Sequence, residues 1–72
     1  MGSYLKIYTI TENGTKKHIG NYRCRSCAKN HMPKNRPTFI TNQRGKIVMY
    51  NVEYKHLAER KGWKLEGQEV RR

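Results

Sequence analysis

Two cysteines, Cys24 and Cys27, stand three positions apart in a chain of only 72 residues. A chain of this length buries only about 60% of the surface that its unfolded form exposes, so its apolar core is marginal. Chains of this size commonly depend on a disulfide, a metal ion or a partner for stability. Because only 35% of the residues are hydrophobic, the need for such a cross-link is increased. The thiol pair is therefore the feature that most restricts how this chain can fold.

The cellular compartment decides which chemistry two nearby thiols favour. The first ten residues, MGSYLKIYTI, lack the basic-then-apolar order of a signal peptide, so an intracellular protein is expected. No apolar run approaches the roughly 18 residues that span a bilayer, so no membrane is expected. Inside cells, a Cys-x-x-Cys pair is more often a metal site or a catalytic pair than a disulfide.

The spacing of the cysteines suits a tetrahedral zinc ion, because a tight turn directs both sulfurs at one point. A structural zinc site needs four ligands, and the remaining candidates are the three histidines. An extended strand places His18 about 20 Å from Cys24, so it ranks last. We predict that Zn²⁺ is bound by Cys24, Cys27, His31 and His56. An exposed loop position for His31 and an ordinary surface position for His56 remain the alternatives.

A redox pair is the main rival interpretation of the thiols. Arg23 and Arg25 would lower the thiol pKa and favour the reactive thiolate. However, no helix is expected to start at Cys24, and the βαβ context of a thioredoxin-like site is missing. A disulfide is a third and weaker alternative.

The remaining sequence predicts an α+β domain with two β-hairpins and one short helix. Aromatic and β-branched residues indicate strands, and Asn-Gly at 13–14 and Gly45 indicate the turns between them. Asn51 is a suitable helix N-cap, and Gly62 ends the helix. Residues 28–37, which contain two prolines, are expected to be irregular. The predicted strands are 4–11, 15–23, 38–41 and 46–50, the helix is 52–61, and 64–72 is an edge strand or a frayed tail.

The order of a Cys24-x-x-Cys27 turn, a hairpin and a helix resembles the treble-clef and zinc-ribbon modules. The resemblance covers the architecture and the one cysteine pair. It implies that residues 1–72 form a single zinc-stapled domain whose helix supplies ligands from its N-terminal part. The chain departs from the treble-clef pattern because its helix offers one ligand, His56, where two are usual. His31 would have to take the place of the other.

Charge is the strongest indication of a partner. Sixteen Lys and Arg residues stand against five acids, which gives a formal net charge of +11. Residues 13–52 contain no acid at all. A polyanion would offset the repulsion among such cations, and nucleic acid is the commonest one. The alternative partner is an acidic surface on a polymerase, nuclease or other nucleic-acid machine.

Three basic segments are predicted to contact nucleic acid. Arg, Asn and Gln can pair with base edges, whereas most Lys and Arg residues contact phosphate. The scattered acids and the lack of a phosphate loop predict a protein that is not an enzyme. We expect a regulator of transcription, translation or DNA processing. The predicted contact residues are Arg23, Arg25, Lys29, Lys34, Arg36, Asn42, Gln43, Arg44 and Lys46.

Overall fold

The structure, a computed structural model, describes residues 4–70. This part of the chain forms five strands and two helices, which confirms the predicted α+β class. The elements are β1 (Leu5–Ile10), β2 (Lys16–Tyr22), α1 (Arg25–Asn30), β3 (Thr38–Thr41), β4 (Ile47–Tyr50), α2 (Val52–Lys61) and β5 (Gln68–Glu69).

All five strands belong to one sheet with the order β2-β1-β3-β4-β5. The two predicted hairpins, β1–β2 and β3–β4, are both present, and they are joined by antiparallel pairing of β1 with β3. In that central pairing Ile7 lies opposite Ile40, and both residues are fully buried. The two hairpins therefore form a single layer.

Successive side chains along a strand point to opposite faces of the sheet, and each face carries its own buried apolar cluster. One buried cluster, the α1-side cluster, comprises Leu5, Ile7, Ala28, Met32, Ile40, Met49 and Val70. The other, the α2-side cluster, comprises Ile10, Phe39, Tyr50, Tyr54 and Ala58. Burial raises the pKa of the Tyr54 phenol in this second cluster. Each helix thus seals one face of the sheet.

Helix α1 corrects the expectation that no helix starts at Cys24 and that residues 28–30 are irregular. Residues 31–37 contain no helix or strand, as predicted. Cys24 is the N-cap of α1, and the Cys24 sulfur accepts the backbone N–H of Cys27 at 3.1 Å. Ala28 is fully buried, and Met32 just after the helix is also buried against the sheet. Six residues are too few for a helix to form by propensity alone, so this packing stabilises α1. The helix ends before Pro33, which agrees with the predicted effect of the proline.

Helix α2 spans the predicted residues. The Asn51 side chain accepts the N–H of Tyr54 at 2.9 Å, and Gly62 ends the helix with φ 74°. The predicted edge strand in the tail is present as β5, which pairs with β4 in parallel. Residues 71 and 72 of the predicted tail lie outside the described residues.

Two contacts fix β5 and the end of the tail. The backbone N–H of Val70 donates to the carbonyl of Tyr50 at 2.7 Å. Lys55 of α2 forms an ion pair with Glu69 at 3.2 Å, and this contact raises the pKa of Lys55. The last strand is therefore held by both β4 and α2. Within residues 4–70, no helix is long and apolar enough to cross a membrane.

Candidate functional site

The structure brings the two cysteines together at the start of α1. Their sulfur atoms are 2.7 Å apart, within hydrogen-bond contact, and both residues are exposed. Contact with the Cys27 side chain and a hydrogen bond from the backbone N–H of Cys27 lower the pKa of Cys24. The same contact between the two side chains raises the pKa of Cys27. The two thiols are therefore chemically unequal.

The predicted histidine ligands have other contacts. The ring of His31, at the C-cap of α1, stacks on Tyr22 with 4.6 Å between centroids and 12° between planes. His56 lies on α2, where its Nδ1 is 3.8 Å from the carboxylate of Glu59. Across residues 4–70, no three His, Cys, Asp or Glu side chains are grouped so that they could hold a metal ion. The four-ligand zinc site stays a prediction, of which the structure assembles the cysteine half.

The predicted nucleic-acid contacts are divided between different parts of the molecule. Arg23, Arg25 and Lys29 lie in or beside α1, Lys34 and Arg36 lie in the loop before β3, and residues 42–46 form the β3–β4 turn. All of these side chains are exposed except that of Asn42, which is half-buried.

Asn42 has a structural role in the β3–β4 turn. Its side-chain oxygen accepts the backbone N–H groups of Arg44 at 2.9 Å and Lys46 at 3.1 Å. These bonds close the turn, as is common for Asn in this position. The predicted base contact by Asn42 would therefore have to use its side-chain NH₂ group. Arg44, like Gln43 and Lys46, is exposed at the turn.

The sheet register shows which turns and loops lie at the same end of the strands. Leu5 pairs with Tyr22 near the thiol pair, and Lys6 pairs with Thr41 at the start of the β3–β4 turn. The thiol pair and the β3–β4 turn thus share one end of the sheet. The β1–β2 turn, which follows Ile10, lies at the other end.

An open groove of about 1150 Å³ lies at the end of the sheet that holds the β1–β2 turn. We call it the basic groove, because four cations and one acid, Glu12, are among its lining residues. Its walls are the β1–β2 turn, the loop before β3, and the C-terminal part of α2 together with Trp63. The lining residues are Ile10, Thr11, Glu12, Asn13, Gly14, Lys17, Asn35, Arg36, Pro37, Leu57, Arg60, Lys61 and Trp63.

Trp63 gives the basic groove a flat apolar wall. After Gly62 reverses the chain direction, the backbone N–H of Trp63 donates to the carbonyl of Ala58 at 2.9 Å. The indole contacts Tyr54 with 6.2 Å between ring centroids, yet 40% of the residue remains exposed. A tryptophan held in this way can offer a ring face to a ligand without further ordering.

The loop that carries Arg36 is fixed from beneath. The carbonyl of Arg36 accepts the Asn51 side-chain NH₂ at 2.7 Å and the Thr38 hydroxyl at 2.9 Å. The neighbouring Pro37 carbonyl accepts the N–H of Ile10 at 3.0 Å. The backbone at Arg36 is therefore held firmly while its charged side chain stays exposed.

Sequence reasoning missed most of the basic groove. Only Arg36 was among the predicted contacts, whereas Lys17, Arg60, Lys61 and Trp63 were not. The available signal was weak: Arg60, Lys61 and Trp63 cluster around the helix-ending Gly62. Nothing in the order of residues indicated that this cluster meets the β1–β2 turn.

Comparison with known proteins adds no family. No protein-family model matches the chain, and no curated protein or solved structure matches it.

Proposed function

We propose that the protein binds single-stranded nucleic acid in the basic groove and acts as a binding factor, not as an enzyme. The observation that carries this proposal is the meeting of four exposed cations and an exposed tryptophan in one open groove. The cations are Lys17, Arg36, Arg60 and Lys61. They come from three separate segments of the chain, so folding is required to bring them together.

The charge distribution favours a polyanion as the ligand. The other four acids of the chain lie in or after α2, and three of them are paired with nearby basic groups: Glu59 with His56, Glu66 with Lys64 and Glu69 with Lys55. Neutralisation by phosphates releases condensed counterions and relieves the repulsion among the groove cations.

A single strand fits the groove better than a duplex because of Trp63. Unpaired bases stack on exposed aromatic side chains, and each stacked base contributes about 1–3 kcal/mol. Bases within a duplex are already stacked on each other and cannot use such a wall. Asn13 and Asn35, which also line the groove, supply polar groups for base edges.

The remaining basic segments extend the contact beyond the groove. The cations near α1 and those of the β3–β4 turn would bind phosphates of a longer strand, giving affinity without sequence discrimination. We propose that such binding serves to regulate transcription, translation or DNA processing. The alternative proposal is docking on an acidic protein surface, which the same cations would favour.

Charge reversal within the groove tests the proposal. The variant with Arg60→Glu and Lys61→Glu should bind a labelled oligothymidylate or oligouridylate of about 12 nucleotides at least about tenfold more weakly. Fluorescence anisotropy measures this affinity. The matched control for either single replacement is Lys64→Glu, because it reverses one charge on a side chain that is 84% exposed and lies outside the groove. Equal weakening by the control and by the single groove replacements would refute a localised site.

Salt dependence separates nucleic acid from an acidic protein partner. Four phosphate contacts to a single strand predict a slope of about −3 for log affinity against log salt concentration. A protein interface with an apolar centre should weaken much less as salt is raised. Failure to bind any oligonucleotide at low salt would leave the acidic protein surface as the better candidate.

A further inference from the structure

The thiol pair is a feature that nucleic-acid binding does not use. Cys24 and Cys27 are both exposed, and their sulfurs are in direct contact at 2.7 Å. Zinc coordination requires four ligands, and the described residues bring no third ligand to the pair. Disulfide exchange requires two thiols that can reach each other, and that condition is met.

We propose that Cys24 and Cys27 form a dithiol–disulfide exchange site for anionic low-molecular-weight disulfides of the glutathione type. Cys24 is the attacking residue, and Cys27 is the resolving residue. The assignment follows from geometry: the sulfur of Cys24 accepts the backbone N–H of Cys27 at 3.1 Å, a bond that favours Cys24 as the attacking sulfur, and the sulfur of Cys27 lies 2.7 Å away, within reach to resolve the mixed disulfide.

The reaction proceeds in two balanced steps. The Cys24 thiolate attacks one sulfur of the substrate disulfide, a mixed disulfide forms, and the other half of the substrate leaves as a thiolate that takes a proton from water. Cys27 then loses its proton and attacks the sulfur of Cys24, which releases the second half as a thiol. The two cysteines lose two electrons to form one disulfide, and the substrate disulfide gains them to become two thiols.

Charge around the pair selects the substrate class. Arg23 and Arg25 flank Cys24 and are exposed, and the sequence from residue 13 to residue 52 contains no acid. The guanidinium of Arg23 lies 5.5 Å from the ring centroid of Tyr4 and donates to the Tyr4 hydroxyl at 3.3 Å, which holds it in place. A disulfide with a net negative charge is therefore attracted, whereas one with a net positive charge is repelled.

Trapping of the mixed disulfide tests the order of attack. Reduced full-length protein is exposed to glutathione disulfide, quenched with acid and measured by mass spectrometry. We expect Cys27→Ser to retain one glutathione, whereas Cys24→Ser should form its adduct at least about tenfold more slowly. The wild type should lose two hydrogens and retain no glutathione. Equal rates for the two variants, or a wild type that retains glutathione, would overturn the proposal.

Substrate charge gives a second test, which does not depend on the cysteine variants folding. The wild type should react faster with glutathione disulfide than with cystamine, a disulfide that carries two ammonium groups. Arg25→Glu should slow the first reaction by a few fold and speed the second, while Lys64→Glu changes neither. No preference between the two substrates would contradict the charge argument. One zinc per chain in natively purified protein, with both thiols protected from alkylation, would show that the thiols bind metal and would contradict the exchange proposal. None of these measurements involves nucleic acid, so their failure and that of the proposed function are distinguishable.

Discussion

Asn51 is the residue at which three segments of the molecule meet. Its side-chain oxygen accepts the N–H of Thr38 in β3 and the N–H of Tyr54 in α2. Its NH₂ group donates to the carbonyls of Pro33 and Arg36 in the loop before β3. The residue is 8% exposed, so water cannot easily replace these bonds. One amide therefore caps a helix and fixes the loop that lines the basic groove.

Replacement of Asn51 by Ala should be severely destabilising. The substitution removes the helix cap and leaves several buried N–H and carbonyl groups without a hydrogen-bond partner. We therefore expect the free energy of unfolding to fall by about 3 kcal/mol. Urea denaturation followed by circular dichroism measures this cost. Asn51→Asp keeps the acceptor and loses the two donors, so its cost should be intermediate. Asn35→Ala, on the exposed part of the same loop, should stay within about 0.5 kcal/mol of wild type. A similar small effect at Asn51 would show that the four bonds do not stabilise the fold.

At the scale of single elements, the sequence predicted those with strong local signals and missed the one that depends on distant contacts. Helix α2 has a capping Asn51 and a terminating Gly62, and its limits were predicted correctly. Helix α1 has six residues, a cysteine as its N-cap and no acid in its first turn, so its local signals are weak. It is stabilised by Ala28 and Met32 packing on the sheet, which only the folded chain reveals.

The connection from α2 to β5 depends on Gly67. Its φ is 91°, and a β-carbon added there would lie 2.6 Å from the carbonyl carbon of Val48 and 2.7 Å from the carbonyl oxygen. Both the backbone conformation and the close approach of β4 therefore require glycine.

Substitution of Gly67 by Ala should cost about 3 kcal/mol, because β5 must move away from β4. Gly14→Ala is the matched control: Gly14 has a φ of 81°, but no atom lies within 4 Å of the added β-carbon. The control should cost only about 1 kcal/mol, from backbone strain alone. Thermal unfolding of the two variants compares them directly. Equal costs would mean that the contact with Val48 has no energetic consequence.

At the scale of the whole molecule, composition indicates a class of ligand but no place on the molecule for it. The acid-free region between residues 13 and 52 indicated a polyanion. The basic groove nevertheless combines Lys17 from this region with Arg60 and Lys61 from α2, which are more than forty residues away in sequence. The pairing of β1 with β3 brings these segments together, and strand pairing of this kind cannot be deduced from a single sequence.

The zinc prediction rests in part on the size of the molecule, because chains of this length commonly depend on a disulfide, a metal ion or a partner. In this structure both faces of the sheet carry a buried cluster of side chains. These clusters are an alternative source of stability that does not involve Cys24 or Cys27.

The location of the binding site is the central claim, and heteronuclear NMR tests it most directly. Titration of ¹⁵N-labelled protein with an oligothymidylate of about 12 nucleotides should shift the indole N–H of Trp63 and the amides of Asn13, Lys17, Arg36 and Lys61. Amides of β5 should remain unchanged. Shifts confined to α1 and the β3–β4 turn, with an unaffected Trp63 indole, would contradict the account.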